Sequence, residues 1–303
     1  HDSRGFTGGL VFNDHFLPGW VWFSISKTAV TGIDESGGEA RMYAIDENLI
    51  FKTQRPNRLR PRTSQKREVF FLQQLEGVQD VSVPRVVGYG QEDGIEYTLM
   101  TRMPGAAFKA VNPTGEARRQ TLFELGHTLR RIHGLPQPPF VQSRLFPGDH
   151  APVDVTWRFG NLFDDALAAI AQSPQPWPLD IPPVDIARRA MWALPDVDEC
   201  VALHSNPGPE HVFVDPQTGQ FVGLIDFGDA YISHPVLDLR RWPASADRDA
   251  LWDGYTADTP ASDDLLRTWQ VAQILIYLSV ITRNSEQRAT AAAELLKLQK
   301  ALN

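Results

Sequence analysis

Residues 203–229, LHSNPGPEHVFVDPQTGQFVGLIDFGD, gather the side chains best suited to chemistry: His204, Asn206, His211, Asp226 and Asp229. Two apolar runs flank the turn DPQTG and predict a β-hairpin. Paired about that turn, Val214 faces Gln220 and Val212 faces Val222. His211 and Asp226 then fall at the open end, beside the loop His204–Glu210. A polar cluster at the mouth of an apolar hairpin suits phosphoryl transfer. That reaction needs a group to orient the attacking hydroxyl and take its proton, and ligands for magnesium.

A second constellation lies upstream. In ENLIFKTQ, Ile50 and Lys52 share one strand face, Leu49 and Phe51 the other. On a helix expected over 64–76, Glu68 joins Phe71, Leu72 and Leu75 at i, i+3, i+4 and i+7. A carboxylate inside an apolar stripe is costly unless a cation meets it, and Lys52 is the natural partner. The bland alternative is a solvated acid at the margin of the stripe.

The elements that must position these residues divide in two. VWFSISKTAV, EARMYAI, ENLIFKTQ and EYTLMTRM read as strands between turn-formers such as GIDESGG and QEDG. One helix interrupts them, SQKREVFFLQQLEG, with Ser64 as N-cap and Gly77 as stop. After Met103-Pro104-Gly105 the pattern turns helical. Residues 116–135 set Leu122, Leu125, Leu129 and Ile132 on one stripe before the prolines from Pro136 to Pro139. Further helices are expected over 161–172, 183–194, 264–283 and 286–302. The expectation is an α+β fold in two lobes: residues 1–104, a small antiparallel sheet with one helix, and residues 105–303, mostly helical with the hairpin.

In their order and spelling these motifs resemble the aminoglycoside phosphotransferase-like (choline kinase-like) kinases, which have a protein-kinase-like fold. That family's catalytic loop reads H-x-D-x-x-x-x-N, followed by a hairpin ending in I-D-[FW]-G-[DE]. Here His204 stands at the His, Asn206 at the Asp and His211 at the Asn, and IDFGD matches from Ile225 to Asp229. HPVLDL resembles the family's D-P-x-x-D-L, with His234 at the first Asp. EYTLMTRMPG resembles its hinge strand and LFELGHTLRRIHGLP its first helix in the larger lobe. The resemblance covers most of residues 30–245.

It implies ATP (or GTP) and Mg2+ as cofactors, and transfer of the γ-phosphate to a hydroxyl of a small molecule. An aminoglycoside-like antibiotic is one such acceptor, which would make this a resistance enzyme. Asp226 becomes the main magnesium ligand, His211 the second, and His204 a brace for the catalytic loop. Lys52 and Glu68 become the phosphate-holding pair. The loop DESGGEA, otherwise a plain hairpin turn, would cover the phosphates, and the backbone from Thr101 to Met103 would face the base. Asp229 is the candidate for acceptor recognition.

Asn206 departs from the family. An amide can hold a hydroxyl by hydrogen bond but cannot take its proton, and general-base help is typically worth ~10²–10⁴-fold. A loose transition state leaves room for positioning alone to retain some activity. Either the site is naturally weakened, down to a nucleotide-binding pseudokinase, or an Asp-to-Asn change has been introduced. The acceptor stays open as well. Residues 228–264 hold eight Asp and three Arg, which suits a polycation or is simply a solvated face. The Trp and Pro residues between 157 and 192 line a pocket for a larger apolar acceptor, such as a macrolide, or pack in the core. A zinc hydrolase using His204, His211 and Asp226 fits no zinc spacing and leaves Lys52 and Glu68 unexplained.

Bulk properties narrow the setting. The 303 residues are 42% hydrophobic and 22% charged, with a formal net charge of -8, so nucleic acid is not an expected partner. One cysteine, Cys200, excludes a disulfide framework, suggests a reducing compartment and reads as a small buried hydrophobe. No secretory signal is visible. The run Val271–Thr282 is too short to span a bilayer and reads as a core helix. A cytoplasmic protein without a membrane partner is expected, its oligomeric state open.

Overall fold

A computed structural model describes residues 31–34, 40–45, 47–59, 64–196, 199–283 and 286–301. The strand expected over 21–30, and residues 35–39 of the DESGGEA loop, lie outside the described residues. Two compact units emerge. One comprises the described residues up to Pro104 together with Ile225–Asp229, the other the remainder.

The first unit is a five-stranded antiparallel sheet in the order β1-β2-β3-β5-β4. Its strands are β1 (Thr31–Asp34), β2 (Ala40–Ala44), β3 (Leu49–Gln54), β4 (Val86–Glu92) and β5 (Ile95–Thr101). Helix α1 (Gln65–Gln74) packs on β4 and β5. Its start is where the sequence placed it: Ser64 accepts from Arg67 N at 3.3 Å. It ends just before Gly77, whose φ of +82° only glycine adopts freely. Strand β4 was not expected. Its glycines break the alternation, and one has a steric reason, since a Cβ on Gly90 would collide with the ring of Tyr97 on β5.

In the second unit α2 (Phe108–Val111) leads into α3 (Gly115–His133), whose Leu122, Leu125, Leu129 and Ile132 are wholly buried. Burying each contributes about 1.5–3 kcal/mol. Gly134 ends α3, and the prolines that follow start a short helix, α4 (Pro138–Ser143). Next come α5 (Pro152–Gln172) and α6 (Pro183–Ala193). This unit also holds two small sheets: β6 (Ala106–Ala107) with β8 (Val212–Val214) and β9 (Phe221–Leu224), and β7 (Val201–Leu203) with β10 (Tyr231–Ser233). Helices α7 (Val236–Leu239), α8 (Ser245–Tyr255), α9 (Asp263–Arg283) and α10 (Arg288–Ala301) complete the chain.

Helix α8, also unexpected, makes the tightest crossing. A Cβ on Gly126 of α3 would strike the Leu251 carbonyl, and one on Gly254 would strike that of Phe123. Two missing side chains let the backbones touch. Among the described residues α9 alone is long and apolar enough to cross a membrane, yet two thirds of that stretch is buried. It packs on α5, α6, α7 and α10.

The hairpin forms, but its register differs from the expected one. Val212 faces Leu224 and Val214 faces Phe221, with an irregularity between Phe213 and Val214. The Asp215 carboxylate accepts from Gln217 N and Thr218 N, which holds the turn open beyond the expected pairing. Cys200 is half-buried rather than core. Trp157 and Trp192 are 71% and 90% exposed, so neither belongs to the core.

Candidate functional site

In the first unit, strand β3 carries Lys52 into the interior and α1 brings Glu68 to it. Lys52 Nζ lies 2.7 Å from Glu68 Oε2 and 2.9 Å from Asp226 Oδ1. Lys52 and Glu68 are 7% and 1% exposed, whereas the Asp226 side chain is 40% exposed. Burial works against the Lys52 charge, but the Asp226 and Glu68 carboxylates outweigh it and hold the ammonium above its ordinary pKa. Burial pushes the Glu68 carboxyl up, against the pull of Lys52.

Glu68 has a second duty. Its other oxygen accepts from Phe227 N at 3.3 Å. Arg67 Nη1 and Ser64 N both donate to the Gly228 carbonyl, and the Phe71 and Phe227 rings lie 4.8 Å apart. Helix α1 and its cap therefore grip Phe227 and Gly228 of the IDFGD segment while presenting a carboxylate to the lysine. Asp226 itself has a φ of +71°, an uncommon conformation for a residue with a side chain.

Asp226 suits magnesium by the chemistry of its donors: a carboxylate, half in solvent, beside a fixed cation. Among the described residues no three His, Cys, Asp or Glu converge into a metal cage. Magnesium does not need one, because it is held by one or two carboxylates plus substrate phosphates and water.

Thr101 and Met103 flank the expected hinge. The Thr101 N–H donates to Arg85 O at 2.9 Å and its hydroxyl accepts from Arg85 N, so this residue is spent on strand pairing. Met103 is 7% exposed, and its Sδ accepts from the Ser82 hydroxyl. Asp229 is exposed and falls in the first unit, where its charge acts on Arg67.

The second unit holds the loop that follows β7. His204 is wholly buried. Its Nδ1 accepts from Asn206 N at 3.2 Å, which leaves the ring proton on Nε2. The Asn206 carbonyl accepts from Gly208 N and from His211 Nδ1, both at 2.8 Å. A carbonyl can only accept, so His211 carries its proton on Nδ1 and its lone pair on Nε2, the tautomer of a metal-binding histidine. As a nitrogen donor it suits magnesium less well than Asp226 does.

The loop's foundation is a residue to which the sequence reading gave no role. Asp238, fully buried on α7, accepts from His204 N and Ser205 N at 2.8 Å each, and pairs with His133 Nε2 at 3.1 Å. Burial would raise its pKa, but the His133 hydrogen bond and charge hold it below the usual carboxylate range. HPVLDL was the signal that could have found it. Arg241 donates to Ser205 O and Trp242 Nε1 to Pro207 O. Within the acidic run, Asp238 is in this network, Asp247 is paired with Arg118 and Asp258 with His127, while Asp229, Asp253, Asp263 and Asp264 are exposed.

Comparison with known proteins agrees with this architecture. An aminoglycoside 3'-phosphotransferase of Streptomyces ribosidificus is 29% identical over 163 residues, 52% of this chain and 57% of that protein. The chain thus matches little more than half the length of that curated relative. The GDP complex of an aminoglycoside 2'-phosphotransferase-IIIa superposes with a TM-score of 0.59 at 17% identity, covering 92% of this chain and 94% of that one. The macrolide 2'-phosphotransferase of Brachybacterium faecium gives 0.55 at 16%, covering 88% and 91%. These likenesses show that the fold is the kinase-like one of those enzymes. A profile of the Phosphotransferase enzyme family matches residues 31–273, and to that family this chain belongs.

Proposed function

We propose that the protein is an ATP-dependent small-molecule kinase that moves a γ-phosphate onto a hydroxyl of an aminoglycoside-like acceptor, with turnover lowered by Asn206. The observation that carries this reading is the buried Lys52 held between Glu68 and the half-exposed Asp226. Fixing a lysine between two carboxylates costs desolvation. That cost is understandable where phosphate oxygens are to share the cation. The aminoglycoside 3'-phosphotransferase relative supports the acceptor class, and the GDP and ATP complexes of similar folds leave both nucleotides open.

In this reading Lys52 binds phosphate oxygens, Glu68 keeps it aimed, and Asp226 holds magnesium. When bound, magnesium neutralises charge on the transferring phosphoryl group. The Asn206 side chain accepts a hydrogen bond from the acceptor hydroxyl and orients it without taking the proton. His204 and Asp238 keep position 206 presented. A second reading, a nucleotide-binding pseudokinase, is favoured by Asn206 itself.

A melting assay tests the nucleotide side. At about 100 times its dissociation constant, Mg-ATP should stabilise the fold by about 2.7 kcal/mol, and Asp226→Ala should abolish the shift. An unchanged melting curve would sink the reading. Phosphotransfer to a panel of aminoglycosides, macrolides and amino alcohols then separates enzyme from pseudokinase.

A further inference from the structure

Glu96 stands at the start of β5, 9% exposed, and its carboxylate collects five donors. Oε2 accepts from Gln65 N at 2.8 Å and Gln54 Nε2 at 3.2 Å. Oε1 accepts from Lys66 N at 3.1 Å, Ser64 Oγ at 3.2 Å and Tyr89 OH at 2.8 Å. Gln65 N and Lys66 N are the first two amides of α1, which have no partner within the helix. Arg67 N, the third, is taken by Ser64. A strand carboxylate thus ties off the helix terminus, and its negative charge faces the positive end of the helix dipole.

The tie continues toward the lysine. Gln65 Nε2 donates to the Glu96 carbonyl at 3.1 Å, and Gln65 Oε1 accepts from the Thr98 hydroxyl at 2.8 Å. Thr98 is the cross-strand partner of Lys52. One turn along α1 from the capped amides sits Glu68. Where the first turn of α1 lies on the sheet therefore decides whether Glu68 reaches Lys52 and Phe227 N together.

We propose that Glu96 is a positioning residue for the Lys52, Glu68 and Asp226 group: it fixes the register of α1 on the sheet and so keeps Lys52 pinned. An amide at this position would keep one acceptor oxygen in place of two and turn Nε2–H₂ toward groups that now donate to the carboxylate. One of the two amides, Gln65 N or Lys66 N, would lose its acceptor, and the first turn of α1 would shift.

The test uses the full chain and reads Lys52 directly. An amine-acylating reagent with mass spectrometry gives the labelling rate of Lys52 relative to exposed Lys300, well below the melting temperature. In the parent protein Lys52 should label far more slowly than Lys300. Losing hydrogen bonds to a charged acceptor should speed Lys52 labelling by about tenfold or more in Glu96→Gln, with Lys300 unchanged. Glu96→Asp keeps the charge but shortens the reach, and should give a smaller acceleration. If Glu96→Gln does not fold, Glu96→Asp decides by the same measurement.

Unchanged Lys52 labelling in the folded variant would overturn the proposal and leave Glu96 a fold-stabilising residue alone. A second arm rests on the nucleotide reading above: the Mg-ATP dissociation constant should rise about tenfold in Glu96→Gln, and the effect should vanish in a Lys52→Ala background. A parent protein that fails to bind Mg-ATP would sink that reading, while the labelling would still decide the role of Glu96.

Discussion

The two units hold their chemistry by opposite means. In the first, side-chain charge meets side-chain charge: Lys52 lies between Glu68 and Asp226, with Glu96 closing the helix that carries Glu68. In the second, the loop around Asn206 is held through its main chain. The amides of 204 and 205 rest on Asp238, the amide of 206 on His204, and the carbonyls of 205, 206 and 207 on Arg241, His211 and Trp242. A group held by charge fails when one member is removed. A loop held by its backbone tolerates exchange of the side chain it displays, which is how an asparagine sits at position 206 in an otherwise complete frame.

The largest effect should come from exploiting that tolerance. Asn206→Asp restores a proton acceptor and should raise turnover by ~10²–10⁴-fold with Mg-ATP affinity nearly unchanged. No gain across the acceptor panel would favour the pseudokinase. Next, Asp238→Ala takes the acceptor from two buried amides and the partner from His133. Denaturant unfolding should show a loss of about 3–5 kcal/mol; a loss under about 1 kcal/mol would mean the loop does not depend on this foundation.

In the first unit Lys52→Ala should remove most of the stabilisation by Mg-ATP, about 2.7 kcal/mol at about 100 times the parent's dissociation constant. It should also steepen a pH response. Burial already pushes the Glu68 carboxyl up, and without the cation its folded pKa rises further above the unfolded value. That contribution is present at low pH and lost as pH rises, so relative to the parent the variant should lose more stability at pH 7 than at pH 5. The second unit supplies the counterpart. Burial, and then the neighbouring His133 charge, depress His234 from the ordinary 6.5 to about 3. Between those values only the unfolded state binds the proton, so stability falls as pH drops below 6.5. At pH 5.5 the cost is about 1.4 kcal/mol, and His234→Asn should remove that slope from melting curves taken between pH 7 and 5.

What could be read in advance follows from how each feature is written. Glu68 was legible because a lone carboxylate in a 3.6-residue apolar stripe demands a cation, and IDFGD because its order is unbroken. The α3 stripe was legible from spacing alone. Strand β4 was not, since Gly88 and Gly90 carry no side chains to alternate. Nor was α8, whose Gly254 reads as a breaker until it is seen against the Phe123 carbonyl. Nothing in EYTLMTRM marks Glu96; only the fold shows that it faces a helix terminus. Asp238 lay in HPVLDL, but one aspartate among eight gives no sign of being wholly buried under a loop.

The gathering of Ile225–Asp229 into the first unit has a consequence for how the protein is made. Strands β1 to β5 and α1 leave the ribosome with Pro104, but their last five residues arrive roughly 120 positions later. At about 5–20 residues per second that is a delay of about 6–24 s. Throughout it, Glu68 has no Phe227 amide and Lys52 no Asp226 carboxylate, and Phe71 lacks the ring that covers it. The nascent sheet waits, unfinished, with Lys52 held by Glu68 alone and an open apolar face. A chain stopped at residue 104 would be held in that state permanently.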